Sequence, residues 1–110
     1  PDDADAMSFG AGLLAFLGEA DRTHDWADKA AIIEPDDMYM QYNLACAYAE
    51  LGDIERSLDR LEQALAMNPL KSLQQYMRND SDLDIVRSHP RYTALLERLA
   101  EAEKDPPKWI

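Results

Sequence analysis

The chain has 110 residues, of which 46% are hydrophobic, and 22 carboxylates stand against 11 Lys and Arg, a net charge of −11. That length suits one domain with a real core. The acidic excess speaks against nucleic acid, which needs basic patches to displace counterions, and against anionic membrane surfaces. It leaves solubility, or a basic partner, as the reading of the charge.

The first element is a helix from Ala4 to Leu17, with Met7, Ala11, Leu14 and Leu17 at helical spacing. Gly18 is placed to cap it. Gly10 and Gly12 each cost about 1 kcal/mol against Ala inside a helix, unless they permit close packing. A second helix runs from about Glu19 to Ile33 and stops before Pro35. The third, Met38 to Leu51, has Leu44, Tyr48 and Leu51 on one stripe and Tyr39, Tyr42, Cys46 and Ala49 on another, so it is contacted from two sides. After the Gly52-Asp53 turn, Ile54, Leu58, Leu61 and Leu65 form the stripe of a fourth helix, ended by Asn68-Pro69. A fifth spans about Lys71 to Arg78. Ser81 with Asp84 resembles a helix-start box opening a short helix through Arg87. Pro90 begins a last helix with Tyr92, Leu95, Leu96 and Leu99 buried, and Pro106-Pro107 ends it.

The chain also repeats itself. A shift of 34 residues brings Pro1-Asp2-Asp3 onto Pro35-Asp36-Asp37, Ala11 onto Ala45, Ala15 onto Ala49, Leu17-Gly18 onto Leu51-Gly52, Ala30 onto Ala64 and Pro35 onto Pro69. A fixed period of this size marks stacked helical units. Gln41-x-x-Leu44-Ala45-x-x-Tyr48, then Leu51-Gly52, Ser57, Leu61, Ala64 and Pro69, resembles a tetratricopeptide repeat whose opening Trp is replaced by Gln41. The first unit fits at Met7, Ala11, Leu14, Leu17-Gly18, Thr23, Ala30 and Pro35, with Gly10 and Ala27 where larger apolar residues are usual.

The resemblance implies an all-α superhelix of helical hairpins: repeat 1 over 4–35, repeat 2 over 36–69, a divergent third unit and cap over 70–105, and a tail at 106–110. The run from Asn79 to Tyr92 is similar to the closing segment of repeat arrays in bacterial signalling proteins, among them those that follow adenylate or guanylate cyclase domains. It implies a protein-interaction or regulatory module of such a protein, with no catalytic role of its own and no cofactor. Its partner is expected to be a protein or peptide, basic in character, or another domain of the same parent. A self-associating homodimer is one alternative and a small enzyme using the acidic cap region is another. Opening on Pro1 in the register of a repeat boundary suggests a fragment of a longer protein. Cys46 is the sole cysteine, which fits a reducing, cytoplasmic setting.

In such modules the first helix of each pair lines a concave groove that takes extended peptides. By position that face holds Asp5, Ser8, Gly12 and Phe16, then Tyr39, Tyr42, Asn43, Cys46 and Glu50, then Leu73 and Tyr76. Asn43 coincides with an Asn that hydrogen-bonds peptide backbone in the family. The Lys and Asn with which chaperone-tail binders grip a carboxylate are replaced by Ser8 and Gly12. Packing of Tyr39 and Tyr42 against the next layer is the competing reading of the same residues.

Metal and nucleophile patterns fall short. Asp80-x-Asp82-x-Asp84 starts like a calcium loop, but Ile85 and Arg91 occupy the places of its Gly and bidentate Glu, so the run reads as capping. His24 and Asp28 supply two ligands where a site needs three, and read as a solvated helix face. His89 reads as a cap or contact residue, and Trp26 and Trp109 as isolated. No nucleophile motif surrounds any serine.

Overall fold

In a computed structural model of the chain, residues 4–67 and 71–104 are described, with side chains at 6–67 and 74–101. The expected end of the fourth helix at Asn68-Pro69, the 106–110 tail with Trp109, and the side chains of Asp5 and Leu73 lie outside the described residues.

Every described element is a helix: α1 (Ala4–Phe16), α2 (Ala20–Ile33), α3 (Met38–Glu50), α4 (Ile54–Met67), α5 (Lys71–Asn79), a 3-10 turn (Ser81–Leu83), α6 (Asp84–Arg87) and α7 (Pro90–Lys104). The chain is therefore all-α over the described residues. None of these helices is long and apolar enough to cross a membrane.

Helix α1 packs on α2 and on α3, α3 packs on α4, and α4 meets α6 and α7. The two tight connections are built alike. Gly18 N–H donates to Ala15 O (3.0 Å) and Glu19 N–H to Leu14 O (2.9 Å); Gly52 N–H donates to Ala49 O (3.0 Å) and Asp53 N–H to Tyr48 O (2.9 Å). This paired closure needs a left-handed residue, and the glycines supply φ of 77° and 80°. Both turns thus cap one helix and aim the next, at the same place in the 34-residue repeat.

Two apolar clusters flank α3. Leu44, Tyr48, Met40 and Ala47 meet Met7, Ala11 and Ala15 of α1 and Ala27 and Ala30 of α2. Tyr42, Ala45 and Ala49 meet Leu58, Leu61 and Leu65 of α4, Met77 of α5, Leu83, Val86 of α6, and Tyr92 and Leu95 of α7. The two stripes expected for α3 each find a partner, except that Tyr39 is exposed. Small residues let the backbones approach: the buried Ser57 hydroxyl donates to Ala45 O across the α3–α4 contact (2.7 Å). Gln41 is buried with its amide satisfied. Its Nε2 donates to Pro35 O (3.0 Å) and its Oε1 accepts from Arg60 (3.1 Å).

Four details depart from expectation. Leu17 is exposed, because α1 ends at Phe16 and Leu17 lies in the turn. Trp26 is not isolated: a Cβ on Gly10 would lie 2.3 Å from Trp26 Cζ3, so the indole occupies the space a larger residue 10 would need. His24 is half-buried rather than solvated, with Nδ1 2.9 Å from Arg56 Nη1 and its ring 5.3 Å from that of Tyr48. The cap of the 3-10 turn is Asp80, whose Oδ1 accepts from Asp82 N–H (3.0 Å), while Asp84 pairs with Arg87 instead of partnering Ser81.

The last helix is pinned by charge. Arg91 donates to Glu55 (2.8 Å), Asp59 (2.9 Å) and Glu62 (3.1 Å) along α4. His89 Nδ1 accepts from Arg91 N–H (3.1 Å) and its Nε2 lies 3.1 Å from Glu55, so it serves both as cap and as contact.

Two stability outcomes follow from this packing. Leu61 is fully buried in the second cluster, so Leu61→Ala should cost about 2–5 kcal/mol in denaturant unfolding; a cost under about 0.5 kcal/mol would place it on the surface. Gly10→Ala should destabilise by about 1 kcal/mol or more, even though Ala is the better helix former, because a rigid ring must move. A neutral or stabilising result would mean that the indole is free to swing away.

Candidate functional site

Helices α1 and α3 lie side by side, and the surface between them is a cleft of about 400 Å3. Its walls are Ser8, Phe9, Gly12, Leu13 and Phe16 from α1, and Asn43, Cys46, Ala47 and Glu50 from α3, with Asp82 at one edge. Phe9 faces it with Asn43, Gly12 with Cys46, Leu13 with Ala47, and Phe16 with Glu50. Each pair is one repeat period apart, so the cleft is assembled from matching positions of two units.

The α1 wall is unusually apolar for a surface. Phe9 is 67% exposed, Leu13 68% and Phe16 74%. Gly12 sits between them with nothing within 4 Å of a Cβ built on it, so this glycine opens space and Gly10 closes it. The α3 wall sets Asn43 and Glu50 beside Cys46 and Ala47, and the charged lining residues among those described, Glu50 and Asp82, are both acidic.

Of the residues expected in a groove, Ser8, Gly12, Phe16, Asn43, Cys46 and Glu50 come together here. Tyr39, Tyr42 and Tyr76 are not among the cleft's lining residues. Tyr39 is 73% exposed, and Tyr76 is exposed with its ring 5.8 Å from that of Tyr42. Tyr42 is buried and donates its hydroxyl to Asp80 Oδ2 (2.6 Å), tying α3 to the turn after α5. Phe9 and Leu13 were not singled out from the sequence. The repeat register, which sets them opposite Asn43 and Ala47, carried that information.

Cys46 borders both the cleft and this tyrosine–aspartate link. Its thiol lies 3.9 Å from Asp80 Oδ2. Burial, then the Asp80 and Asp82 carboxylates, push its pKa up to about 12. The Tyr42 phenol is also raised, by burial and by its bond to Asp80, and Asp82 is raised by burial and by Asp80. Cys46, Asp80 and Asp82 present three potential ligand atoms within 4.8 Å of one another. Both Asp80 oxygens are already engaged, one by Asp82 N–H and the other by Tyr42, and a metal would compete with the cap.

Comparison of the chain with family models, with curated proteins and with solved structures returns no match.

The thiol's environment sets a measurable reactivity. A thiol pushed up to about 12 should carry a thiolate fraction at pH 8 roughly a thousand-fold below that of an ordinary cysteine. Alkylation by iodoacetamide should be slower than in the unfolded chain by that order and should rise log-linearly with pH toward 12. Asp80→Asn keeps a capping oxygen but removes a charge beside the thiol, and should speed the reaction. Native rates matching unfolded rates would contradict this environment.

Proposed function

We propose that the chain is a tetratricopeptide-type interaction module, a stack of helical hairpins closed by α5 to α7, which binds a protein segment in the cleft between α1 and α3. The observation that carries the reading is the assembly of one surface from residues a repeat period apart: Phe9 with Asn43, Gly12 with Cys46, Leu13 with Ala47 and Phe16 with Glu50. Stacked units with small mutual rotation generate such concave surfaces, and these are the surfaces that repeat arrays use for recognition. Exposed aromatics supply anchors whose burial on binding is favourable. Asn43 offers both a donor and an acceptor to an extended backbone, as its counterpart does in the family.

The likeness of residues 79–92 to closing segments of bacterial signalling arrays supports a regulatory setting, in which the module answers to a partner or to another domain of its own protein, a nucleotide cyclase among the options. The same features support a non-catalytic, intracellular role.

Selection from a displayed library of random peptides tests the reading. Peptides that bind with one-to-one stoichiometry should lose roughly ten-fold or more in affinity on Phe16→Ala or Asn43→Ala, with the melting temperature unchanged because neither side chain is buried. A library that yields no binder, or binders indifferent to both changes, would remove the cleft from consideration.

A further inference from the structure

The cleft's chemistry points to the kind of segment it takes. Its apolar wall is continuous: Phe9, Leu13 and Phe16 lie at helical spacing on α1, all more than two-thirds exposed, around the gap left by Gly12. A side chain entering there would meet Phe9 and Phe16 on its flanks and Ala47 and Cys46 beyond. About 400 Å3 admits a few side chains.

The rim has a single sign. Among the described residues, Glu50 and Asp82 are its charged members and no Lys or Arg lines it. Asp80 lies behind this edge, its Oδ1 accepting from Asp82 N–H (3.0 Å), and adds a further carboxylate there. An acidic segment entering the cleft would meet like charge, which costs affinity and slows encounter. A second copy of this chain is disfavoured on the same ground: a two-fold contact through the cleft sets Glu50 and Asp82 against their own counterparts, between bodies that each carry −11.

We propose that the cleft binds a basic amphipathic segment of a partner protein, with an aliphatic or aromatic side chain seated over Gly12 between Phe9, Leu13 and Phe16 and a Lys or Arg reaching Glu50 or Asp82. This rests on the cleft being an interaction surface and names the chemistry of what fills it. The long-range field speeds approach of such a segment and the apolar seat sets how long it stays.

Three short synthetic peptides serve as probes: one alternating Leu and Lys, one with Glu in place of Lys, and one with Ser in place of Leu. The intact protein is titrated with each by fluorescence anisotropy at low and at physiological salt, and its mass is followed by sedimentation. The Leu–Lys peptide should bind one-to-one, more weakly as salt rises, while the other two bind at least roughly ten-fold more weakly. Gly12→Leu fills the seat in open space and should weaken Leu–Lys binding roughly ten-fold or more without lowering the melting temperature. Glu50→Lys should do the same, whereas Glu97→Lys, an equal change of net charge on α7, should not.

If the Glu peptide binds as tightly as the Lys peptide and Gly12→Leu blocks both, the cleft binds protein but the basic partner is wrong. Leu–Lys binding that ignores Gly12→Leu and falls equally with Glu50→Lys and Glu97→Lys is general attraction to an acidic surface, and overturns the inference. So does an absence of Leu–Lys binding. A concentration-dependent dimer that Gly12→Leu dissolves would show that the occupant is a second copy.

Discussion

Helix α3 is the constraint on which the rest of the structure depends. It alone contributes to both apolar clusters, with Leu44 and Tyr48 toward α1 and α2, and Tyr42, Ala45 and Ala49 toward α4 and the C-terminal helices. Its sequence is indifferent as a helix: two Tyr, a third at residue 42, an Asn and a Cys each lose a few tenths of a kcal/mol against Ala. Full burial of a side chain such as Leu44 or Met40 contributes about 1.5–3 kcal/mol, so packing decides the matter. A helix buried on two sides can spare only a narrow strip for anything else, and Asn43, Cys46 and Glu50 fall on that strip.

Much of this arrangement is legible in the sequence because it is local or periodic. The stripes of α3 and α4 follow from helical spacing, and Gly18 and Gly52 follow from the need for positive φ at a helix end. What escapes are contacts between residues far apart in sequence. Nothing near Trp26 announces that its ring fills the gap at Gly10, and nothing near Tyr42 announces Asp80, 38 residues on. The Asp80–Asp84 run shows the same divide. Its capping character is local and readable, but which residue caps depends on where the chain turns, and the Asp80 that caps also meets Tyr42 through its second oxygen. The cleft was legible in part: the repeat register placed Ser8, Gly12, Phe16, Asn43, Cys46 and Glu50, whereas α1 is apolar on all sides, so its spacing alone does not say that Phe9 and Leu13 stay exposed.

The acidic excess finds a partial answer within the fold. Arg91 gathers Glu55, Asp59 and Glu62, successive on one face of α4, and those hydrogen bonds raise its own pKa. Each pair is partly exposed and worth about 1 kcal/mol at most, so the network orients α7 more than it holds it. The holding is done by Tyr92 and Leu95 against α4 and α6. Without that guanidinium, three carboxylates would crowd a single helix face. Among the described residues no comparable cation lines the cleft, whose charged members are Glu50 and Asp82.

Gly10 and Gly12 bring these strands together. Two residues apart on one helix, they cost the same in propensity and do opposite things. Gly10 is required by its neighbour, since Trp26 leaves no room for a Cβ. At Gly12 a Cβ would meet nothing within 4 Å, so no contact of that kind requires a glycine there. A residue that weakens its helix, relieves no clash and turns no corner is what the proposed docking of a side chain beside it would account for. Phe9, Leu13 and Phe16 make the same point from the other direction: exposed apolar area that the fold does not use is kept beside a gap that the fold does not need. The two costs fall on the same face of the same helix, which is the arrangement the proposed binding surface requires.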